Sequence, residues 1–168
     1  ILPTNRSFPI ILKISRMKFR TGGQTGVNRA VLDACLQSLI AVGGWCPEGR
    51  KAEDGKIPDH YPLVELEGAG YEERTEANVL NSDATLILHL GEITRSTKFT
   101  VFCCAKLSKP SLLMDLREEN LQAQVEEFVG FIDDNEVIEL NVAGPRASEE
   151  SEAYEKIKFF LGALKKRE

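Results

Sequence analysis

Hydrophobic positions along the chain follow two periods. Val27, Ala30, Val31, Ala34 and Cys35 recur at three- and four-residue intervals, the spacing of one helical face, and predict a helix over residues 27–39. The run ATLILHL at 84–90 has no polar gaps of that kind and reads as a strand buried on both faces. The same reading predicts a strand within residues 10–21, a short apolar segment LIAVG at 39–43 and a helix over 71–80. Beyond residue 90 it predicts a helix over 97–107, the strand SLLMDL, a helix over 121–133, the strand VIELNVA and a closing amphipathic helix over 148–166. A long glycine- and proline-rich loop, GGWCPEGRKAEDGKIPDHYP, precedes the second helix. Strands alternating with helices predict an α/β fold, a parallel sheet covered by helices on both faces.

Composition narrows the class. The 168 residues are 42% apolar and 28% charged, which suits one folded domain and excludes disorder. No apolar run approaches the roughly 20 residues of a membrane span, so no membrane partner is expected. Four cysteines (Cys35, Cys46, Cys103, Cys104) form no C-x-x-C pair, which points to a reducing, cytoplasmic setting without a structural metal. The net charge of −5 is uneven: residues 1–20 carry five bases and no acid, residues 115–168 seven bases and fourteen acids. The acidic C-terminal part argues against nucleic acid, which needs a continuous basic face. Residues 1–16 are expected to be a basic extension or leading strand, with the usual start near Met17. Residues 17–168 are expected to form a single ligand-binding domain.

The junction between the first strand and helix reads Thr21-Gly22-Gly23-Gln24-Thr25-Gly26-Val27-Asn28-Arg29. Glycines turn the backbone so that its N–H groups point outward, and the positive end of the helix adds to them, making a candidate anion site. Thr25 caps the helix or donates to the anion, and Arg29 offers a charge-assisted contact to phosphate. The pattern fits neither a Walker loop nor G-x-G-x-x-G. In the long loop Trp45, with Arg50 and Lys51 nearby, suits a flat heterocycle bearing phosphate; alternatively the indole packs inward. Gly144-Pro145-Arg146 breaks the last strand ahead of Ser148, a candidate N-cap for the closing helix. Arg146 either reaches the ligand or pairs with one of the acids that follow it. Arg74 and Asn78 share a helical face and either contact the ligand or bond to the adjacent loop. His60 and His89 lack companions at catalytic or metal-ligand spacing, and Cys46 is the thiol singled out as a candidate for reactivity.

Five segments, GGQTGVNRAVLDA, GGWCPEGRKAEDG, RTEANVLNSDATLIL, GEITRSTKFT and LNVAGPRAS, occur in an order that resembles the "putative molybdenum cofactor carrier" family. That resemblance, over about residues 17–165, implies a Rossmann-like three-layer sandwich related to lysine-decarboxylase-like, cytokinin-activating phosphoribohydrolase proteins. It implies homo-oligomers and a small anionic ligand: a phosphorylated pterin or nucleotide-like molecule, with the molybdenum cofactor (molybdopterin) as first candidate and molybdoenzymes as recipients. Asn28 stands where the family has Asp, and Arg95-Ser96-Thr97 where it has a glycine pair. Thr100 falls where the related phosphoribohydrolases carry their glutamate, and a hydroxyl cannot serve as that base. The expectation is therefore non-catalytic binding through Gly22, Gly23, Gln24, Thr25, Gly26, Arg29, Trp45, Arg50, Arg74, Asn78, Ser96, Thr97, Gly144 and Arg146. The alternatives are a nucleotide-processing hydrolase using Glu53, Asp54 or Asp83, and a nucleotide-ligand sensor.

Overall fold

The computed structural model describes residues 8–166. In chain order its elements are α1 (Ile10–Arg16), β1 (Lys18–Arg20), α2 (Val27–Gln37), β2 (Val42–Gly43), β3 (Trp45–Pro47), β4 (Lys51–Ala52), β5 (Gly55–Lys56), β6 (Val64–Leu66), α3 (Tyr71–Leu80), β7 (Ala84–His89), α4 (Arg95–Lys106), β8 (Ser111–Asp115), α5 (Leu121–Asp134), β9 (Glu139–Ala143) and α6 (Ala153–Lys165). Five strands make the central sheet in the order β2-β1-β9-β7-β8, every pair parallel. Counted with β9 as the first strand, followed by β1, β2, β7 and β8, the spatial order becomes 3-2-1-4-5. That is a Rossmann sheet whose first strand has moved to the end of the chain.

Alternation along β7 separates the layers. Leu86 and Leu88 join Val31 of α2, Phe128 of α5 and Ile157, Phe160 and Leu164 of α6 in one core. Ile87 points the other way, onto Val79 of α3 and Cys103 and Cys104 of α4. Phe128 meets Phe160 edge to face at 6.3 Å, worth about 1 kcal/mol beyond the area the rings bury. The long loop folds into a lobe: β3 pairs with β6, β4 with β5, over a small core of Leu32, Cys46, Ala52, Ile57, Tyr61 and Leu63.

Three of the differences from the sequence reading have a clear local cause. Residues 10–16 form helix α1 rather than a leading strand, because a helix lets Ile14 enter the main core while Lys13 reaches Asp133 at 2.5 Å. The rest of the expected basic extension, residues 1–7, lies outside the described residues. Helix α4 begins at Arg95 because Thr94 caps it, its side chain accepting from the Thr97 N–H. Helix α6 begins only at Ala153. Ser148 is no N-cap there: its N–H and hydroxyl both go to Glu53.

Candidate anion-binding site

In open parallel sheets, ligands lodge beyond the carboxyl ends of the strands, where the connections diverge to opposite faces. Here the loops after β1 and β9 lead to α2 and α6 on one face, and the loop after β7 leads to α4 on the other. A chamber of about 40 Å³ lies at this point, walled by Gly22, Gln24 and Asn28, by Asn141–Gly144 along the end of β9, by Arg146, by Arg74, Thr75 and Asn78 of α3, and by Ser96 and Thr100 of α4. No described residue lining it is a carboxylate. It adjoins an open cleft of about 690 Å³, with which it shares Arg74, Thr75, Ser96 and Arg146 and which adds Tyr71, Glu72, Arg95, Lys98, Phe99, Ser148 and Glu149.

Two guanidinium groups dominate the junction. Arg74 is only 6% exposed. It donates to the carbonyl oxygens of Gly22 (2.7 Å) and Tyr71 (3.3 Å), with no carboxylate paired to it among the described residues. Burial, with Arg146 as a neighbouring like charge, lowers its pKa to about 10, so it stays protonated at neutral pH. Gly22 makes this approach possible: a Cβ there would stand 2.3 Å from the Arg74 guanidinium. Among the described residues the Arg146 guanidinium has one acidic partner, a long contact to Glu149 (3.9 Å), and its buried Nε makes no hydrogen bond. The Tyr71 ring lies beside both cations, 5.7 Å from the Cζ of Arg74 and 5.2 Å from that of Arg146. A π-face beside two like charges offsets part of the cost of holding them together. Gln24, 5% exposed, spends its side-chain oxygen on the N–H groups of Thr25 and Glu53, while its Nε2 has no partner among the described residues.

The mouth of α2 is closed by the protein itself. The Gln24 N–H donates to Asn28, the Val27 N–H to the Pro145 carbonyl, and the Arg29 N–H to the Gln24 carbonyl. Arg29 is held by two bonds to Asp54 (3.0 and 2.9 Å) and one to the Gly23 carbonyl (2.7 Å). Arg50 is the staple of the lobe, donating to the carbonyls of Ile57, Pro58, Tyr61 and Leu63. Gly23 faces that lobe, where a Cβ would meet Leu63 at 2.5 Å; its φ of +79° also favours glycine. Glu53 ties three loops together by accepting from Thr25 Oγ1 and from the N–H and hydroxyl of Ser148. Desolvation opposes that carboxylate's charge, but the bonds from Ser148 and Thr25 outweigh it and hold its pKa below the ordinary value.

The structure thus brings Gly22, Gln24, Arg74, Asn78, Ser96, Gly144 and Arg146 around one chamber, and leaves Gly23, Thr25, Gly26, Arg29, Trp45, Arg50 and Thr97 outside its walls. Asn78 also braces the backbone of Trp45, accepting its N–H and donating to its carbonyl, both at 2.9 Å. Ser96 donates to Glu149 at 2.6 Å. Asn28, Thr100 and Asn141 line the chamber, and Tyr71 and Phe99 the cleft, without having been singled out as ligand contacts; Asn141, a polar residue inside an apolar strand, was the visible signal. Cys46 is fully buried and its thiol pKa is raised by desolvation, so it is not a reactive thiol. Among the described residues no cluster of His, Cys, Asp and Glu is placed to hold a metal, and no helix is long and apolar enough to cross a membrane.

A Rossmann sheet counted from its last strand, with a cationic chamber at the point where its connections diverge, defines a permuted Rossmann-like type of domain. The chain belongs to the circularly permutated YpsA SLOG family, which it matches over residues 19–165. It is similar to the crystal structure of "Putative molybdenum carrier protein" from Syntrophus aciditrophicus, with 36% identity and a TM-score of 0.85 over 90% of this chain and 96% of that one. The resemblance read from the sequence motifs and the Rossmann-like α/β fold both hold. No curated protein matches the chain.

Proposed function

We propose that this protein binds and carries a phosphorylated pterin or nucleotide-like ligand, with the molybdenum cofactor as first candidate cargo. The observation that carries the reading is the chamber itself: two guanidinium groups and the unpartnered Gln24 Nε2 converge on a space without a carboxylate. A phosphate oxyanion only accepts hydrogen bonds and carries the opposite charge, so it satisfies all three donors. The chamber's 40 Å³ suits such a head group and is too small for a ring system, which the 690 Å³ cleft beside Tyr71 and Phe99 accommodates. The Syntrophus relative is named as a molybdenum carrier, which supports a cargo that contains that metal.

Carrying rather than turnover is favoured by what the acids do. Glu53 is bound to Thr25 and Ser148, Asp54 to Arg29, and Asp83 to the N–H groups of Ile138 and Glu139 at the start of β9, the opposite end of the sheet. Thr100 lines the chamber, with its hydroxyl directed to the Ser96 carbonyl. A glycosidic hydrolysis needs a free carboxylate at the reacting bond; of the two acids in the cleft, Glu149 accepts from Ser96 and the Arg146 N–H, which leaves Glu72 as the residue to substitute if base release is seen. The carrier reading also calls for a homo-oligomer and recipient molybdoenzymes; Phe102 and Phe159, 58% and 69% exposed, are apolar side chains suited to such contacts. The test is mass spectrometry of the small molecule that co-purifies with the native protein, followed by calorimetric titration with molybdenum cofactor and with nucleoside monophosphates. Saturable binding without release of a free base is the expected result. No saturable signal from any of them overturns the reading, and base release moves the protein to the hydrolases.

A further inference from the structure

Asn28 is the second residue of α2, where the helix dipole favours a carboxylate, yet the first turn of that helix contains no acid. Its structural task is modest: Oδ1 accepts the Gln24 N–H at 3.2 Å. An aspartate oxygen would perform that task at least as well, with the dipole in its favour. What an aspartate lacks is the amide NH2. Among the described residues the side-chain bond of Asn28 is the one its Oδ1 accepts and none is made by Nδ2; the residue, 8% exposed, lines the chamber with Gln24, Arg74 and Arg146. Stability alone therefore gives no reason for the amide, whereas the chamber does. Its neighbour Gln24 repeats the arrangement, with the oxygen committed to backbone N–H groups and the nitrogen left for the cavity.

We propose that Asn28 is the specificity-determining residue of this chamber, selecting a fully ionised oxyanion that enters bare, with no bridging divalent cation. This rests on the carrier reading and sharpens it. Amide nitrogens and guanidinium groups donate to phosphate oxygens but cannot ligate a cation. A carboxylate at position 28 would instead repel the guest and offer a ligand to a metal bridging the two. The residue thus decides whether the ligand is taken as a free anion or as a metal salt.

The experiment titrates inorganic phosphate and a nucleoside monophosphate at pH 8 into wild type, N28D and N28A, with and without magnesium, alongside thermal melts. Wild-type affinity is expected to be indifferent to magnesium. N28A should lose about twelvefold, the lower end of what one hydrogen bond to a charged guest is worth, and N28D about a hundredfold, with part of that loss recovered by magnesium. The melting temperature of N28D should equal or exceed that of wild type, separating a binding defect from a folding one. Equal losses in N28D and N28A, or a wild type that requires magnesium, overturns the assignment of Asn28 and leaves the carrier reading standing. A wild type that binds neither probe overturns both.

Discussion

Arg29 and Arg50 on the lobe side of the glycine loop, and Arg74 and Arg146 on its cleft side, are alike in sequence terms: single cations near a glycine. The structure divides them by what they have left to give. Arg50 spends itself on four carbonyls and Arg29 on Asp54 and Gly23, so neither has a bond to offer a guest. Arg74 has only backbone carbonyls, and Arg146 a buried Nε with nothing to donate to. A binding cation is recognised by unspent donors rather than by nearness to a glycine loop, because a satisfied guanidinium gains little by exchanging partners.

That contrast breaks first at Arg50. R50A strips the bonds from four lobe carbonyls and should cost about 3–5 kcal/mol of stability, read by urea denaturation. A loss near zero would mean that the lobe holds itself. R146A should do the reverse: about 2 kcal/mol, roughly thirtyfold, off the affinity for a nucleoside monophosphate by calorimetry, with stability within about 0.5 kcal/mol of wild type. If R146A melts like R50A and binds like wild type, the division between spent and unspent cations is wrong. R29A sharpens the point, because the glycine-loop pattern alone assigns it to phosphate; the structure predicts unchanged affinity and about 1 kcal/mol of lost stability.

The smallest effect concerns Glu53. Its folded pKa is depressed, so its contribution is complete above the unfolded carboxylate value and disappears as pH falls through the lower folded one. Thermal melts from pH 6 to pH 3 should show that acid loss in wild type, and a flatter curve in E53Q. Parallel curves would show that the tie between the three loops contributes nothing to stability.

Much of the architecture was legible because the central elements carry unmixed signals. ATLILHL can only be a two-sided strand at that length, and the face of α2 repeats cleanly. The segment IILKI fits either period, and only burial of Ile14 and the distant partner Asp133 makes it helical. The lobe was invisible because its strands are two or three residues long, too short for a period to show. In the site, the strand–helix junctions exposed Gly22, Gln24, Gly144 and Arg146. Availability was hidden: Asp54 lies 25 residues from Arg29 in the chain, and no local pattern announces that two such side chains will meet. Asn28 was visible as an oddity, but its free nitrogen follows from the bond its oxygen makes to Gln24.

Because β9 is central in space yet last among the strands in sequence, the growing polypeptide emerges from the ribosome with a gap between β1 and β7. Asn141, Gly144 and Arg146 arrive only after every other wall has been synthesised. On the carrier reading, loading therefore waits for insertion of that final strand, and a variant in which the insertion is hindered lacks the complete chamber.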